Sequence, residues 1–308
     1  MDTPDRALLE LGLALQAAGY RFITVTPETH RRVVARPRWA LARDARDVFG
    51  WSCPFERALL PAAWFAHLEA ADALEPLPSQ RFRSRVRYSS LAQGLYVHSA
   101  FPTAEADAVF FGPDTYRFVN LLARTPGRFR RVVDIGCGSG AGGLSLAGRA
   151  DELVLTDVNP RALRFASVNA ALNRVDHVQL VRSDVLAQVE GSMDLVIANP
   201  PYLTDAGERT YRHGGGAYGT ELSERITRES LQRLTPGGRL VLYTGAPVVE
   251  GEDQLFAALR PLIESAHAEA RFEELDPDVF GEELELGPYA DVERIAVVAV
   301  TARRALSV

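Results

Sequence analysis

Three short apolar runs, each ending at residues that can carry chemistry, place the strongest constraint on the fold of this chain. The runs are 132–135, 153–156 and 195–198, and they are followed by a glycine turn, by Asp157 and by Asn199. Continuous apolar runs of this length are typical of strands buried on both faces of a parallel sheet. Because ligands bind outside the carboxyl ends of such strands, we expect the functional residues to lie at one edge of the sheet.

From residue 131 onward, apolar runs alternate with helical patterns. The predicted strands are 131–135, 152–156, 178–182, 194–198 and 238–243, and helices are predicted near 142–149, 160–173, 220–234 and 252–264. The apolar run 294–301 has no following parallel unit and is predicted to be a final strand inserted antiparallel. The fold class is therefore α/β, with a mostly parallel sheet covered on both faces.

Length and composition limit the kind of protein. The 308 residues, 47% hydrophobic and 24% charged, predict a globular protein with two domains. No apolar run approaches the about 18 residues of a membrane helix, and the first residues lack the pattern of a signal peptide. Cys53 and Cys137 are too few for a disulfide framework or a cysteine zinc site. We expect a cytoplasmic protein with no membrane partner. The net charge of −6 argues against a large nucleic-acid surface but leaves a local one open.

The first 90 residues are predicted to form a smaller, mainly helical domain before a larger domain at 91–308. Helical periodicity covers 6–18, about 40–50 and 55–74, and 21–26 is strand-like or an edge segment.

Arginine occupies every second position from Arg81 to Arg87, which predicts an exposed strand with arginines on one face, followed by a strand around 94–98. Helices followed by such a hairpin resemble a winged-helix arrangement. The arginines are interpreted either as a basic surface that docks substrate or as a solvated edge strand protected by charge.

The glycine turn predicts close approach to a ligand. Gly136, Gly138 and Gly140 allow sharp turning where a side chain would clash, and a helix N-terminus with unpaired N–H groups follows. Asp157 lies 21 residues beyond Gly136, at a strand end where a carboxylate can accept hydrogen bonds from both ribose hydroxyls. This pair of features is compatible with a nicotinamide, a flavin or a sulfonium nucleotide.

Two further carboxylates narrow that choice. Asp134 lies inside the strand end, where it suits a cationic ligand and repels a pyrophosphate. Asp184 follows the strand at 178–182 and can accept a hydrogen bond from an adenine amino group. Asp157 and Asp184 could instead be simple turn or helix caps. Three carboxylates at neighbouring strand ends favour a positively charged adenosine ligand and disfavour a dinucleotide.

The tetrapeptide Asn199-Pro200-Pro201-Tyr202 predicts a site for a planar nitrogen. The Asn199 amide and the Pro200 carbonyl supply two acceptors, held by rigid proline torsions, for the two hydrogens of an –NH₂ group. Tyr202 provides an aromatic face for a planar amide or base. Catalysis would then consist mainly of positioning, since a sulfonium methyl group is already activated.

On these motifs the chain resembles class I S-adenosylmethionine-dependent methyltransferases. More narrowly, it is similar to the group with Asn-Pro-Pro-Tyr that includes release-factor glutamine methyltransferases and small-domain rRNA methyltransferases; the likeness covers about 105–245. The resemblance implies a Rossmann-like fold with a seven-stranded, mostly parallel sheet, and S-adenosyl-L-methionine as cofactor. It also implies that Asp134, Gly136, Gly138 and Gly140 hold the methionine portion of the cofactor. Asp157 would hold the ribose and Asp184 the adenine. The residues Asn199 to Tyr202 would hold the acceptor nitrogen, with Asn199 also touching the cofactor.

The segment 110–116 is similar to the Pro-Arg-Pro-x-Thr-Glu segment of the glutamine methyltransferases. Here the Arg is missing and Tyr116 stands where their Glu would be, a departure that bears on a protein-glutamine substrate. Thr115 in this segment is a candidate substrate contact. The glycine-rich stretch 211–219 predicts a loop beside the acceptor pocket, where His213 either contacts substrate or is an ordinary loop histidine.

The main hypothesis is N-methylation of a planar amino or amide nitrogen in protein or nucleic acid, by direct in-line transfer that implies no metal and no covalent intermediate. The alternatives are a small-molecule enzyme of secondary metabolism and a non-catalytic cofactor-binding module. The acidic stretch 273–285 could hold a metal but fits a solvated surface better. Cys137 is interpreted as a small packing residue.

Overall fold

The computed structural model describes residues 1–103, 105–203, 214–285 and 287–306. The chain divides into two compact units. The first contains 1–117, 138–141 and 161–176, and the second contains 118–137, 142–160 and 177–308. No helix among the described residues combines the length and the apolar character needed to cross a bilayer.

The helices and strands follow in chain order. The α-helices of the described chain are α1 (Thr3–Ala17), α2 (Pro27–Val34), α3 (Ala45–Phe49), α4 (Ala62–Ala70), α5 (Pro113–Ala123), α6 (Ala141–Leu144), α7 (Pro160–Leu172), α8 (Glu221–Arg233) and α9 (Gln254–Ser265). The strands are β1 (Phe55–Glu56), β2 (Leu74–Leu77), β3 (Arg81–Ser84), β4 (Val86–Leu91), β5 (Gly94–Ser99), β6 (Phe129–Ile135), β7 (Ala150–Asp157), β8 (Val178–Arg182), β9 (Met193–Ala198), β10 (Leu234–Val249), β11 (Glu252–Asp253), β12 (Ala268–Asp276) and β13 (Arg294–Arg304).

The central sheet lies in the second unit and has the strand order β12-β13-β10-β9-β6-β7-β8, with β11 paired to β10. Strands β8, β7, β6, β9 and β10 pair in parallel. Strand β13 is antiparallel to both of its neighbours, β10 and β12. The predicted α/β class, the mostly parallel sheet and the antiparallel final strand are confirmed. Strand β12 was not predicted, because its sequence is acidic and lacks a continuous apolar run. In the structure its side chains are mostly half-buried or exposed.

The first unit has α1 to α4, two small sheets and most of α7. Strands β1, β3 and β2 form one sheet, and the hairpin β4–β5 forms the other. Apolar side chains of α1, α4, β4 and α7 share its core, for example Leu11, Phe65, Tyr88 and Val168. The Asp2 carboxylate accepts a hydrogen bond from the Asp5 N–H at 3.0 Å and caps the start of α1.

Two asparagines cover the outer edge of β5 within the first unit. The Asn169 amide exchanges two hydrogen bonds with the backbone of Val97, at 2.7 and 3.0 Å, and donates a third to the Ser139 carbonyl at 2.8 Å. Asn173, four residues later, exchanges two with the backbone of Leu95 at 3.2 and 3.0 Å. The side-chain amides thus satisfy backbone groups that a neighbouring strand would otherwise pair.

Three expectations for the first unit were wrong in detail. The helix predicted over 55–74 spans only Ala62–Ala70, because Phe55–Glu56 pairs with β3 and Pro61 precedes the first helical turn. The helix predicted near 40–50 is shortened to α3, which begins after the Asp44 cap. No strand covers 21–26, where backbone groups bond to Ser90 and Tyr116 instead.

The predicted row of exposed arginines was also wrong. The chain changes sheets between β3 and β4, so residues 81–88 do not form one strand. Arg81 and Arg85 are exposed, but Arg87 is 4% exposed.

Candidate active site

The parallel order of the second unit brings the strand ends together at one edge of the sheet. Ile135 of β6 lies beside Thr156 of β7 on one side and Ala198 of β9 on the other. The next residues along these strands are the glycine turn, Asp157 and Asn199. The three motifs predicted from sequence are therefore neighbours at the carboxyl edge.

Asp134 is a buried carboxylate at the second-last position of β6, just before the glycine turn. It is 2% exposed, and its Oδ2 accepts a hydrogen bond from the Gly143 N–H at 2.7 Å. Burial raises the pKa of Asp134 to about 7, and the nearby charge of Asp157 acts in the same direction. A cation next to this carboxylate would reverse that shift and hold it ionised.

Two glycines of the turn leave an open surface. Gly136 and Gly138 have φ angles of +66° and +54°, which L side chains rarely adopt. A Cβ added at either position would meet nothing within 4 Å. Gly140 also has a positive φ, of 80°. The backbone at Gly136 and Gly138 is therefore turned sharply, and each position has room for a Cβ among the described residues.

Asp157 closes β7 and organises the turn that follows it. The residue is 9% exposed, and its Oδ1 accepts a hydrogen bond from the Asn159 N–H at 2.9 Å. The Cys137 N–H donates to the Thr156 carbonyl at 2.9 Å, which ties the glycine turn to the end of β7. Burial raises the pKa of the Cys137 thiol well above its usual value, so the neutral thiol fits the predicted packing role.

Asp184 is more exposed than the other two carboxylates. It follows β8, and its Oδ2 pairs with Nη2 of Arg225 at 2.7 Å, while the same guanidinium also bonds to Glu229 at 3.0 Å. The structural alternative predicted for Asp184 was a turn or helix cap, and this surface ion pair is neither. The proposed contact of Asp184 with adenine stays a prediction.

Asn199 and Pro200 present acceptors with no partner in the described parts of the chain. Asn199 is half-buried and Pro200 is buried directly after β9. Within residues 1–103, 105–203, 214–285 and 287–306, no hydrogen bond involves the Asn199 amide or the Pro200 carbonyl oxygen. A half-buried amide at the end of a buried strand is usually satisfied. Among the described residues, nothing competes with a ligand for these two groups.

Tyr202 is held against two residues that the sequence did not single out. Its ring is 7% exposed and lies 6.0 Å from the Phe280 ring, centroid to centroid, at an angle of 60°. A Cβ added to Gly245 of β10 would lie 2.3 Å from the Tyr202 Cδ2 atom. The ring therefore rests on bare backbone at Gly245, and Pro201 before it is half-buried.

Two candidate substrate contacts were predicted in loops. Thr115 is half-buried in the first unit, where its hydroxyl accepts a hydrogen bond from the Gly112 N–H at 3.3 Å and so supports the turn that opens α5. His213 lies outside the described residues. Neither substrate contact is tested by this geometry.

Sequence reasoning missed several residues that shape the site. Gly143 was not singled out, although its N–H binds Asp134 and a Cβ there would lie 2.3 Å from the Leu155 side chain. Gly245 carried a usable signal, since a glycine inside an apolar strand indicates close approach of another group. Phe280 carried none, because it follows Tyr202 by 78 residues and no local pattern links the two.

The acidic stretch at 273–285 is engaged at the surface. Glu273 pairs with Arg124 at 3.0 Å and Glu274 with Arg294 at 2.9 Å. In the portions of the chain that the structure describes, no three His, Cys, Asp or Glu side chains are grouped so that they could share a metal ion.

Known proteins share the sequence around these motifs. Residues 114–264 match the family model described as methyltransferase small domain. The chain is 34% identical over 154 residues to the release factor glutamine methyltransferase of Deinococcus radiodurans, covering 46% of this chain and 55% of that protein. It is 33% identical over 155 residues to a proposed protein N5-glutamine methyltransferase of Methanocaldococcus jannaschii, covering 47% of this chain and 77% of that protein.

A third relative acts on a different polymer. The ribosomal RNA small subunit methyltransferase C of Hahella chejuensis is 35% identical over 115 residues, which are 37% of this chain and 30% of that protein. The chain spans about half the length of the Deinococcus relative and less of the Hahella relative.

Solved structures share the fold. The crystal structure of a tRNA m1G37 methyltransferase from Methanocaldococcus jannaschii superposes with a TM-score of 0.51 at 15% identity, covering 72% of this chain and 58% of that chain. At this identity the likeness shows the fold alone.

Proposed function

Because the chain belongs to the class I S-adenosylmethionine-dependent methyltransferases with a methyltransferase small domain, we propose that it methylates a planar nitrogen. The acceptor is an amino or amide –NH₂ group in a protein or a nucleic acid, and the methyl donor is S-adenosyl-L-methionine. The observation that carries this proposal is the pair of acceptors at Asn199 and Pro200, which have no partner among the described residues and lie at the end of a buried strand beside Asp134. A module that only binds cofactor has no use for such a pair.

The residues at the sheet edge fit an adenosine ligand that bears a positive charge. Gly136 and Gly138 form a sharp turn at which an added Cβ would meet no described atom within 4 Å, and Asp134 offers a buried carboxylate for a cation. Asp157 ends the neighbouring strand and would accept the ribose hydroxyls, and Asp184 would accept the adenine amino group. When bound, the cofactor supplies a methyl group already activated by sulfonium charge.

The chain's own contribution to the reaction is positioning. The Asn199 side-chain oxygen and the Pro200 carbonyl each accept one N–H of the substrate, so the nitrogen lone pair is turned away from both. Tyr202 is expected to set the plane of the acceptor group, and its own ring is fixed by Gly245 and Phe280. With the cofactor bound, the oriented nitrogen would take up the methyl carbon while the carbon–sulfur bond breaks and S-adenosylhomocysteine leaves, and the nitrogen would then lose one proton to solvent.

The Asn199 side-chain oxygen and the Pro200 carbonyl together form what we call the acceptor clamp. It is tested with an Asn199→Ala variant. We expect binding of S-adenosylhomocysteine to stay close to that of the wild type, while methyl transfer falls by about a hundredfold because the acceptor is no longer oriented. The matched control is Asn120→Ala, since Asn120 is exposed on α5. A variant at Asn199 that transfers methyl groups as fast as the Asn120 control would show that the assigned role is wrong.

The acceptor class is tested with methyl-tritiated S-adenosylmethionine and an extract of cells that lack the protein. Label that is released by protease or by nuclease would identify a protein or a nucleic acid, respectively, and either result supports the proposal. Label that passes a size filter would replace it with the small-molecule alternative, which the acidic composition and Tyr116 in place of Glu favour. No label, despite measured cofactor binding, would favour a binding module.

A further inference from the structure

The glycine turn has to be held in one conformation by other parts of the chain. Three of its five residues are glycines, at positions 136, 138 and 140, and all three have positive φ angles. Glycine loses more conformational freedom on folding than any other residue, because it adopts both signs of φ with similar ease. The turn therefore keeps an accurate shape only where its backbone is bonded to neighbouring elements.

Each of the two other residues of the turn is held by a hydrogen bond. In the second unit, the Cys137 N–H donates to the Thr156 carbonyl at 2.9 Å. In the first unit, the Ser139 carbonyl accepts a hydrogen bond from Nδ2 of Asn169, on α7, at 2.8 Å. Ser139 is 4% exposed and Asn169 is 0% exposed. Because both partners are buried, water does not compete for this bond.

The bond to Ser139 also sets the direction of the next backbone N–H. The peptide group between Ser139 and Gly140 is planar, and in a trans peptide the N–H points opposite to the C=O. When Asn169 fixes the Ser139 carbonyl, it therefore fixes the direction of the Gly140 N–H as well. One side chain thus determines the orientation of a whole peptide group between two glycines.

The Asn169 amide is fully engaged and has a single possible orientation. Its Oδ1 accepts from the Val97 N–H at 2.7 Å, and its Nδ2 donates to the Val97 carbonyl at 3.0 Å and to the Ser139 carbonyl. Both hydrogens of Nδ2 are therefore used. The opposite orientation would place Oδ1 against two carbonyl oxygens, which are acceptors only. One buried amide thus connects the backbone of β5 to that of the glycine turn.

Asn173 shows what the same side chain does when it only covers the strand. It lies four residues after Asn169 on α7 and exchanges two hydrogen bonds with Leu95, which lies two residues before Val97 on β5. Its Nδ2 also donates to the Asn169 carbonyl of its own helix, at 2.8 Å. Each amide makes three hydrogen bonds, of which two go to β5. The two residues differ only in the third, which Asn169 directs to the glycine turn.

We infer that Asn169 is a positioning residue for the cofactor, because it holds the glycine turn in the shape that receives S-adenosyl-L-methionine. The inference rests on the proposed function, in which the turn holds the methionine portion of this cofactor. Asn169 acts through Ser139 and needs no contact with the cofactor itself. Without this bond, the cofactor would have to order the turn as it binds, and the cost of that ordering lowers its affinity.

The test measures binding of S-adenosylhomocysteine to the full chain by isothermal titration calorimetry. It compares Asn169→Ala with the matched control Asn173→Ala, since each change removes three hydrogen bonds and only the first releases the turn. Asn169→Ala should raise Kd by about tenfold, the order expected when the backbone of one residue has to be fixed on binding. Asn173→Ala should stay within about twofold of the wild type, because its turn is still fixed.

Loss of stability is separated from loss of positioning in two ways. Circular dichroism identifies a temperature at which all variants are folded, and Asn169→Leu, which keeps most of the side-chain volume, takes the place of Asn169→Ala if the alanine variant does not fold. In the wild type, the Nδ2 resonances of Asn169 should shift when S-adenosylhomocysteine binds, because their partner Ser139 lies in the turn. Those of Asn173 should stay in place.

The inference is overturned if the folded Asn169 and Asn173 variants bind S-adenosylhomocysteine equally well, whether both bind like the wild type or both bind more weakly. It is also overturned if the ligand leaves the Asn169 side-chain resonances of the wild type unchanged. A wild type that does not bind S-adenosylhomocysteine at all would contradict the proposed function, and this inference with it, so the two failures are distinguishable.

Discussion

Gly245 gives the sharpest test of how the acceptor site is held in place. An alanine at this position would place its Cβ 2.3 Å from Cδ2, 2.9 Å from Cε2 and 3.1 Å from Cγ of the Tyr202 ring. Non-bonded carbon atoms need about 3.5 Å or more. The ring must therefore move by about 1 Å, and the Phe280 ring beside it limits where it can go.

The expected cost follows from this overlap. Overpacking a buried site usually lowers the free energy of unfolding by about 1–3 kcal/mol, and we expect Gly245→Ala to fall in that range. Tyr202 lies three residues after Asn199, so displacement of the ring also disturbs the acceptor clamp. A shift of about 1 Å in a positioning group can reduce the rate by about a hundredfold. Methyl transfer should therefore fall more than cofactor affinity.

Urea unfolding and tritium transfer would measure both effects. Gly148→Ala is the matched control, since an added Cβ at Gly148 meets nothing within 4 Å. In a Tyr202→Ala background the overlap is gone, so the further change Gly245→Ala should cost almost nothing. The reasoning is refuted if Gly245→Ala is as harmless as Gly148→Ala, or if its cost persists after the Tyr202 ring has been removed.

Two further predictions concern buried polar groups. Burial raises the pKa of Asp134 from its ordinary value of 3.8 to about 7 in the folded chain. The stability that the Asp134 side chain gives to the ligand-free chain is therefore present below pH 3.8 and is lost as the pH rises through about 7. Binding of a cationic cofactor favours the ionised form, so its measured affinity should fall by up to about tenfold per pH unit below 7, and Asp134→Asn should flatten both profiles. Asn169→Ala removes the partners of the Val97 N–H and of the Val97 and Ser139 carbonyls and should lower the free energy of unfolding by about 3 kcal/mol or more. Urea unfolding against the exposed Asn120→Ala control would check this, and equal stability of the two variants would contradict it.

The sheet could be predicted because its central strands are buried on both faces. Each such strand is a short unbroken apolar run, and a turn residue ends it at the edge where ligands bind. Asp134, Asp157 and Asn199 could therefore be placed at neighbouring strand ends without any structure. The tetrapeptide predicted a planar nitrogen as the acceptor, and the likeness of residues 105–245 to a known group added the expected identity of the cofactor.

What escaped prediction depends on contacts between distant parts of the chain. The spacing of Arg81 to Arg87 fitted one strand, but the chain leaves one sheet and enters another between them, which turns Arg87 inward. The partner of Asp184 is Arg225 on α8, and no local pattern links the two. Gly245 shows its purpose only once Tyr202 is seen against it. Helix α4 is shorter than its apolar pattern because Pro61 fixes where it begins.

The asparagine cover on β5 also has a consequence for the chain as it is being made. Asn169 follows Val97 by 72 residues. At a synthesis rate of about 5–20 residues per second, the outer edge of β5 is without that cover for roughly 4–14 s. During this interval the newly made hairpin presents unpaired backbone groups to any other extended segment. The ribosome-bound chain is thus most exposed to mispairing before α7 has been translated, and this window widens wherever translation pauses between β5 and α7.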